Sequence, residues 1–215
     1  MRIRRCCDCG IFRGRALKIM NTRAVMPRLP AARAMSGAGR LACWAARRIG
    51  AGLVTAACSA EVLPHYTADA AGLSTLPFRT ADEFGKILAD PRENAVLVDP
   101  GSGVNRTTQN IVLAAAKAGK SPVTDADALT AFREAPNELF DTLGGTAAVL
   151  TPHEGEFSRL IMITGDKLTR AIKTSQMAGA VVLLKDADTV IAGPDGRARN
   201  QLQRTPKPCD RRLRR

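Results

Sequence analysis

Apolar residues occur along the chain both in short runs and at helical spacing, and the two patterns alternate. Runs such as 53–58 and 181–184 are almost entirely apolar, which is typical of buried strands. Between such runs, apolar residues stand three or four positions apart, as they do on one face of an amphipathic helix. Short buried strands separated by amphipathic helices predict an α/β fold with a mostly parallel sheet and helices on both faces.

The same pattern gives each element approximate bounds. It predicts helices over 41–49, 81–88, 109–118, 154–160 and 167–178. It predicts strands over 53–58, 95–98, 121–124, 147–150, 181–184 and 189–192. Residues 1–35 are rich in Arg, Pro and Cys and show neither period, so we expect an irregular segment with no stable element there.

The net charge of +12 belongs to the two ends of the chain. Residues 1–48 carry +11 and residues 203–215 carry +5, whereas residues 49–202 carry −4. The folded body therefore lacks the basic excess of a phosphate-tracking surface, and one Trp and one Tyr offer little for stacking on bases. We expect no nucleic-acid partner.

Cysteine spacing and hydropathy add two further exclusions. Cys6, Cys7 and Cys9 stand together, but the histidines His65 and His153 do not complete the spacing of a zinc site. We expect reduced thiols and a cytoplasmic location. No apolar run approaches the ~18 to 20 residues that cross a bilayer, so we expect no membrane contact.

The segments that follow the predicted strands are unusually rich in Gly, Asp, His and Lys. In open parallel sheets ligands bind beyond the carboxyl ends of the strands, so these segments are the ones to examine for chemistry. They are Asp-Pro-Gly-Ser-Gly (99–103), Thr-Asp-Ala-Asp-Ala-Leu (124–129), Thr-Pro-His-Glu-Gly-Glu-Phe (151–157) and Lys-Asp-Ala-Asp-Thr (185–189).

Each candidate group also has a structural interpretation. Gly101 and Gly103 could bring backbone N–H groups to a phosphate or a polar ring, or they could simply form a tight turn. Asp125 and Asp127 could hold a ligand hydroxyl or a metal-bound water, and helix capping is as good an interpretation of either one. His153 could bond a substrate amide or hydroxyl, or be a surface loop residue among solvated acids.

Lys185 completes the set of candidate groups. It ends an apolar strand, where its ammonium could meet a nucleotide phosphate as a point charge. The alternative is a strand-end lysine whose charge reaches water while its stem covers apolar surface.

Four motifs taken together resemble one family, the ADP/ATP-dependent NAD(P)H-hydrate dehydratases. These dehydratases also form the C-terminal half of bifunctional NAD(P)H-hydrate repair enzymes, and the resemblance covers about residues 36–200. It implies a ribokinase-like fold, truncated here at the C-terminus. The motifs are Gly-Ala-Gly-Leu-Val-Thr (50–55), Asp-Ala-Asp-Ala-Leu (125–129), Leu-Thr-Pro-His-Glu-Gly-Glu-Phe (150–157) and Leu-Lys-Asp-Ala-Asp-Thr (184–189).

The resemblance also implies an activity and a set of contacts. The activity is the dehydration of (S)-NADH hydrate or (S)-NADPH hydrate back to the working cofactor, driven by ADP or ATP, with Mg²⁺ and a homo-oligomer expected. The residues expected to contact the hydrated nucleotide are Ala38, Gly101, Gly103, Asp125, Asp127 and His153. Those expected to contact the adenine nucleotide are Lys185, Asp186, Ala187, Asp188 and Thr189.

The chain departs from the family pattern at three places. Asp99 and Asp186 stand where the family usually has glycine, and each adds a carboxylate near an anionic ligand. The family's Gly-rich Leu-Ala-Thr-(Ala/Gly)-Gly-Ser-Gly-Asp segment, with its anion hole and catalytic Asp, does not occur in residues 201–215. We therefore expect no catalytic residue in this sequence and dehydratase activity that is lost or severely reduced.

A shifted reading frame would explain both unusual ends. One set of synonymous codons for residues 201–215, read one base later, encodes N-Y-N-A-P-Q-N-L-A-T-A-G-S-G followed by the start of an Asp codon. Codons for residues 20–27, read two bases later, permit E-Y-S-R-G-H-A, which is close to the family's N-terminal pattern. We therefore hypothesise that 1–35 and 201–215 are translated out of frame around a genuine domain over 36–200.

Two other functions stay open. The chain could be a nucleotide-binding remnant that joins intact homologues without catalysing a reaction. It could also be a small-molecule kinase of the wider ribokinase-like class, although the Pro-His-Glu-Gly-Glu loop (152–156) argues against that.

Overall fold

The computed structural model describes the backbone of residues 23–28 and the whole of residues 36–68, 72–99 and 101–201, with the backbone of 202. Eight helices lie within these ranges, namely α1 (Ser36–Arg48), α2 (Leu63–Thr67), α3 (Ala81–Leu88), α4 (Arg106–Lys117), α5 (Ala126–Thr130), α6 (Pro136–Leu143), α7 (Glu154–Leu160) and α8 (Lys167–Ala178). Nine strands lie there too, namely β1 (Arg23–Arg28), β2 (Leu53–Cys58), β3 (Leu73–Pro77), β4 (Glu93–Val98), β5 (Ser121–Thr124), β6 (Val149–Leu150), β7 (Val181–Leu184), β8 (Asp188–Ala192) and β9 (Ala198–Leu202).

The nine strands form one sheet in the order β3-β2-β1-β4-β5-β6-β7-β8-β9. Every neighbouring pair from β3 to β7 is parallel, and only β7, β8 and β9 are joined by antiparallel pairing. The carboxyl ends of β4, β5, β6 and β7 therefore lie side by side at one edge of the sheet. This edge holds the four segments that the sequence marks out for chemistry.

Both faces of the sheet are covered by helices. Alternate residues of β2 enter two separate buried clusters: Val54, Ala56 and Cys58 pack with Cys43 of α1, while Ala57 belongs to the larger cluster. That larger cluster gathers buried side chains of α3, α4, α6, α7 and α8. The prediction of a mostly parallel sheet with helices on both faces is confirmed.

Most predicted elements are found at the predicted positions. The predicted helices over 81–88, 154–160 and 167–178 have the same first and last residues in the structure. The same is true of the predicted strands β2, β5 and β7. Helices α1 and α4 begin earlier than predicted, at Ser36 and Arg106, and β6 is shorter, at Val149–Leu150. The sequence pattern missed α2, β3, α5, α6 and β9 because these are short or polar, as in Ala-Arg-Asn-Gln-Leu of β9.

The prediction of no stable element before Ser36 is wrong for Arg23–Arg28. These residues form β1, which pairs in parallel with β2 on one side and β4 on the other. The sequence Arg-Ala-Val-Met-Pro-Arg does not suggest a central strand, because Pro27 lacks the N–H that a sheet ladder uses. Two neighbouring strands therefore decide this conformation against the local sequence preference. Residues 1–22 and 29–35 lie outside the described part of the chain.

Two of the six cysteines fall in the described ranges. Cys43 and Cys58 are buried, and they form no disulfide. Within the same ranges, no helix is long and apolar enough to cross a membrane.

The core makes a direct stability prediction at Phe84. This ring is fully buried in α3 and lies 5.3 Å from the Phe78 ring, centroid to centroid. Phe84→Ala should lower the free energy of unfolding by about 3–5 kcal/mol, because it removes a large buried side chain and leaves a cavity. Urea unfolding measures this, with Met162→Ala as the control because Met162 is 97% exposed. A loss at Phe84 no larger than that of the control would contradict this packing.

Candidate functional site

The candidate residues from four strand ends meet at the carboxyl edge of the sheet. The Gly103 N–H donates to Asp127 Oδ2 at 3.1 Å, which joins the loop after β4 to the start of α5. Lys185 Nζ lies 2.5 Å from Asp125 Oδ1, which joins the end of β7 to the end of β5. An isolated β-bridge between the backbones of His153 and Lys185 brings the start of α7 beside the end of β7. Residues that are far apart in sequence thus meet at this edge.

The loop after β4 has the backbone of a glycine turn. Gly101 and Gly103 have φ values of +94° and +81°, which glycine adopts without steric cost. Asp99 has a φ of +84°, a conformation that strains a residue with a side chain. The structure therefore supports the turn interpretation of both glycines, and their contact with a substrate stays a prediction.

Asp99 is buried and bonded to the backbone. Only 2% of the residue is exposed, and its two oxygens accept N–H groups from Ser102 at 2.5 Å and from Ala128 at 3.1 Å. The carboxylate thereby fixes both the glycine loop and the first turn of α5. The sequence suggested only a charge near the ligand, whereas the structure shows a side chain turned into the protein.

Burial raises the pKa of Asp99 to about 6, because the desolvated carboxylate is less stable than it would be in water. The negative charge of Asp127 raises this pKa further, whereas the N–H bonds from Ser102 and Ala128 lower it. The charge of Asp99 is thus tolerated in the fold at a cost in stability.

Neither Asp125 nor Asp127 caps a helix with its side chain, although helix capping was one of the two interpretations of these residues. Asp125 stands at the N-cap of α5 but makes no side-chain capping bond, because its Oδ1 pairs with Lys185. Asp127 lies in the first turn and accepts the Gly103 N–H instead. Both carboxylates therefore tie strand ends together, which is a positioning role at the site.

His153 is the N-cap residue of α7. Its Nδ1 accepts N–H groups from Gly155 at 2.9 Å and from Glu156 at 3.4 Å, and Nε2 lies 3.2 Å from Glu156 Oε1. Glu156 Oε2 in turn accepts the backbone N–H of His153, which completes a capping box. The imidazole is half exposed, so its outer face is accessible from solvent although both nitrogens have partners within the chain.

Sequence reasoning missed the residues that hold His153 in place. A Cβ at Gly155 would lie 2.9 Å from Cε1 of the imidazole, so a larger residue there would displace the ring. Glu156 is 6% exposed and caps the helix, and Glu154 forms two hydrogen bonds with the guanidinium of Arg170. These acids are therefore not the solvated pair of the alternative interpretation. A Glu three residues after a cap residue was the available signal.

The segment predicted to contact the adenine nucleotide, 185–189, forms the turn between β7 and β8. Asp186 and Ala187 are exposed there, while Asp188 begins β8 and pairs with Lys167 at 2.9 Å. Asn200 Nδ2 also donates to Asp188, and the Lys167 bond is the main reason why the pKa of Asp188 lies below its ordinary value. The charge of the Asp188 carboxylate is thus compensated by Lys167 and by the amide of Asn200, which weakens its repulsion of a phosphate.

Ala38 lies in the first turn of α1 and is half-buried. Helix α1 ends shortly before β2 begins, at the amino edge of the sheet, and its 13 residues span about 20 Å. Its first turn therefore lies toward the carboxyl edge of the sheet. Contact of Ala38 with a substrate stays a prediction.

A metal site made of protein ligands alone does not fit the described residues. No three His, Cys, Asp or Glu side chains in these ranges are grouped so that they could hold an ion. Asp125 and Asp127 each already have a donor of the chain bonded to one oxygen.

Solved structures with the same architecture define the class of this fold. Bacillus subtilis YxkO superposes with a TM-score of 0.63 at 25% identity, over 84% of this chain and 65% of that one. A ribokinase-like superfamily protein of Enterococcus faecalis gives a TM-score of 0.67 at 19% identity, over 87% of this chain and 66% of that one. The chain has a ribokinase-like α/β fold.

Sequence relatives narrow the class to one family. A family model described as NAD(P)H-hydrate dehydratase matches residues 31–204. The bifunctional NAD(P)H-hydrate repair enzyme Nnr of Moorella thermoacetica is 36% identical over 177 residues, which are 75% of this chain and 33% of that protein. The ADP-dependent (S)-NAD(P)H-hydrate dehydratase of Neisseria meningitidis is 32% identical over 75% of this chain and 55% of its own length. The chain belongs to the NAD(P)H-hydrate dehydratase family and spans between a third and about half the length of these two relatives.

The raised pKa of Asp99 predicts how stability depends on pH. The cost of its ionised carboxylate is fully present above about pH 6 and is relieved as the pH falls from there toward the ordinary value of 3.8. Between about pH 8 and about pH 5, this chain should therefore gain about 1.4 kcal/mol of unfolding free energy relative to Asp99→Asn.

Urea unfolding of both chains at the two pH values measures the difference. Asp141→Asn is the matched control, because Asp141 is an exposed acid on α6. If Asp99→Asn and the unchanged chain respond equally to pH, the buried carboxylate does not titrate as described.

Proposed function

We propose that the strand-edge site binds (S)-NADH hydrate or (S)-NADPH hydrate together with ADP or ATP, and that it is the substrate pocket of an NAD(P)H-hydrate dehydratase. The observation that carries this proposal is the contact between Lys185 and Asp125. It joins the segment proposed for the adenine nucleotide to the segment proposed for the hydrated nicotinamide. Two ligands bound at these segments would lie side by side, as a transfer between them requires.

The proposed reaction needs the two ligands in contact. Transfer of the terminal phosphoryl group of ADP to the ring hydroxyl of the hydrate would yield AMP and a phosphate ester, and the hydroxyl proton would be released to solvent. The phosphate then leaves with the C–O bond electrons, a ring proton is lost, and the dihydropyridine is restored. In this scheme Lys185 would balance phosphate charge, while Asp125 would hold Lys185 in position. His153 would present its accessible outer face to the nicotinamide end of the substrate.

Mg²⁺ is proposed to arrive with the nucleotide. Magnesium is commonly held by one or two carboxylates together with phosphate oxygens and waters, which suits a site without a protein-only ligand cluster. Asp125 Oδ2 and Asp127 Oδ1 would be available for such a contact, since among the described residues only the other oxygen of each has a bonded donor.

The residues needed for turnover are a separate matter from those needed for binding. The 215 residues contain no Gly-Ser-Gly-Asp segment, whose N–H groups and Asp are the family's anion hole and expected base. We therefore propose that a polypeptide of this sequence binds its ligands and turns them over slowly or not at all.

The turnover prediction is tested by recovery of NADH absorbance from NADH hydrate with ADP or with ATP. We expect a rate at least a thousandfold below that of the Neisseria meningitidis dehydratase assayed in parallel, because losing one oxyanion-hole donor alone costs about 10²–10³-fold. A rate comparable to that of the relative would show that the missing segment is dispensable, and would refute this part of the proposal.

ADP binding tests the nucleotide half of the site independently of turnover. Lys185→Met should weaken ADP binding about tenfold or more in calorimetric titration, because the ammonium is lost from the proposed phosphate contact. Lys173→Met is the matched control, since Lys173 is exposed on α8 away from the strand edge. Equal ADP affinities of both variants and the unchanged chain would contradict the assignment of Lys185.

The alternative functions give different results in the same experiments. A remnant that joins intact homologues would bind ADP and co-elute with a full-length dehydratase without adding turnover. A small-molecule kinase would phosphorylate an alcohol substrate and ignore NADH hydrate. The family membership and the Pro-His-Glu-Gly-Glu loop (152–156) favour the dehydratase.

We also propose that the two ends, 1–35 and 201–215, are read out of frame, with the dehydratase domain over 36–200; the family match reaches into both ends, over 31–35 and 201–204. The composition of β1 supports this, because Arg at both ends and Pro27 are unusual in a strand paired on both sides. Sequencing of the coding DNA is the test. Shifted frames that do not encode the family's N-terminal and Gly-Ser-Gly-Asp patterns would rule this out.

A further inference from the structure

The loop after β4 has its backbone donors bonded to carboxylates of the chain itself. The N–H groups of Ser102 and Ala128 donate to the two oxygens of Asp99, and the Gly103 N–H donates to Asp127. Such N–H groups, at a glycine loop and a helix start, are the donors that commonly bind an anionic or polar ligand. At this strand edge, these N–H groups already donate hydrogen bonds to carboxylates of the protein.

Asp99 is an unusual residue for its backbone conformation. Its φ of +84° is a value that glycine adopts freely and that is strained in a residue with a Cβ. The side chain is nonetheless 2% exposed and bonded through both oxygens. The strained backbone therefore persists because the carboxylate is held from two sides.

A second observation indicates that the loop has unused bonding capacity. Ser102 is 1% exposed, and its Oγ has no hydrogen-bond partner within the part of the chain that the structure describes. A buried hydroxyl that makes no hydrogen bond is costly, and an acceptor or donor of a ligand or an ordered water would relieve that cost. The loop thus contains a hydroxyl without a hydrogen-bond partner, that of Ser102, beside N–H groups that donate to Asp99 and Asp127.

We propose that Asp99 is an internal competitor of the substrate, whose carboxylate occupies the Ser102 and Ala128 N–H groups and repels the anionic hydrated nicotinamide nucleotide. The proposal rests on the proposed function, because it assumes that this loop contacts that nucleotide. Substrate must then displace a negatively charged group that is already in place, so binding is weaker than the loop geometry alone would allow.

Two substitutions separate the charge of Asp99 from its backbone strain. Asp99→Gly removes both, whereas Asp99→Asn removes the charge and keeps a residue that tolerates positive φ comparatively well. Asp141→Asn is the control for a general change in net charge, since Asp141 is exposed on α6. Each variant is titrated calorimetrically with NADPH hydrate and, separately, with ADP, after a thermal melt has shown that it is folded.

The expected result is about tenfold or tighter binding of NADPH hydrate by Asp99→Gly. Asp99→Asn should show a smaller gain in the same direction, because its amide oxygen can still accept one of the two N–H bonds. Asp141→Asn should match the unchanged chain, and ADP should bind all four chains with similar affinity.

Three results would overturn the inference. Equal affinity of all four chains for NADPH hydrate, with ADP binding intact, would contradict the role of Asp99 and leave the proposed function standing. A gain in Asp99→Gly without any gain in Asp99→Asn would assign the effect to backbone strain rather than to competition by charge. If none of the folded chains binds either ligand, both the inference and the proposed function are wrong.

Discussion

The parallel pairing of β4, β5, β6 and β7 is the constraint on which the site depends. Because these neighbouring strands run in the same direction, their carboxyl ends meet at one edge of the sheet. Lys185 and Asp125, 60 positions apart in sequence, thereby come within hydrogen-bonding distance. The helices that follow β5 and β6 begin at the same edge and bring Asp127 and His153 to it.

Three carboxylates at this edge, those of Asp99, Asp125 and Asp127, are each bonded to another group of the chain. Asp125 holds Lys185, Asp127 holds the glycine loop through Gly103, and Asp99 holds Ser102 and Ala128. Buried or half-buried charges need such partners, since an unpaired charge in a poorly solvated place is strongly destabilising. Under the proposed function, a ligand would therefore bind here by exchanging one set of polar contacts for another. Its affinity depends on how firmly the internal contacts hold.

The sequence predicted the elements whose apolar period is strong, and it identified the strand ends that carry polar side chains. It did not predict β1, because nothing in Arg-Ala-Val-Met-Pro-Arg indicates a strand that is paired on both sides. Nor did it show that the Asp99 carboxylate turns inward, since that depends on N–H groups of Ser102 and Ala128, which the fold alone brings together. Local patterns report periodicity and residue chemistry, whereas partners across strands follow only from the sheet order.

We propose that one strand edge binds both nucleotides, with Lys185 between them. A crystal structure of this chain with ADP and NADPH hydrate would decide this. We expect a phosphate oxygen of ADP within hydrogen-bonding distance of Lys185 Nζ, about 2.7–3.2 Å, and the hydrated nicotinamide beside His153 and the Gly101–Gly103 loop. Electron density for either nucleotide at another face of the sheet, with this edge empty, would show that the proposal is wrong.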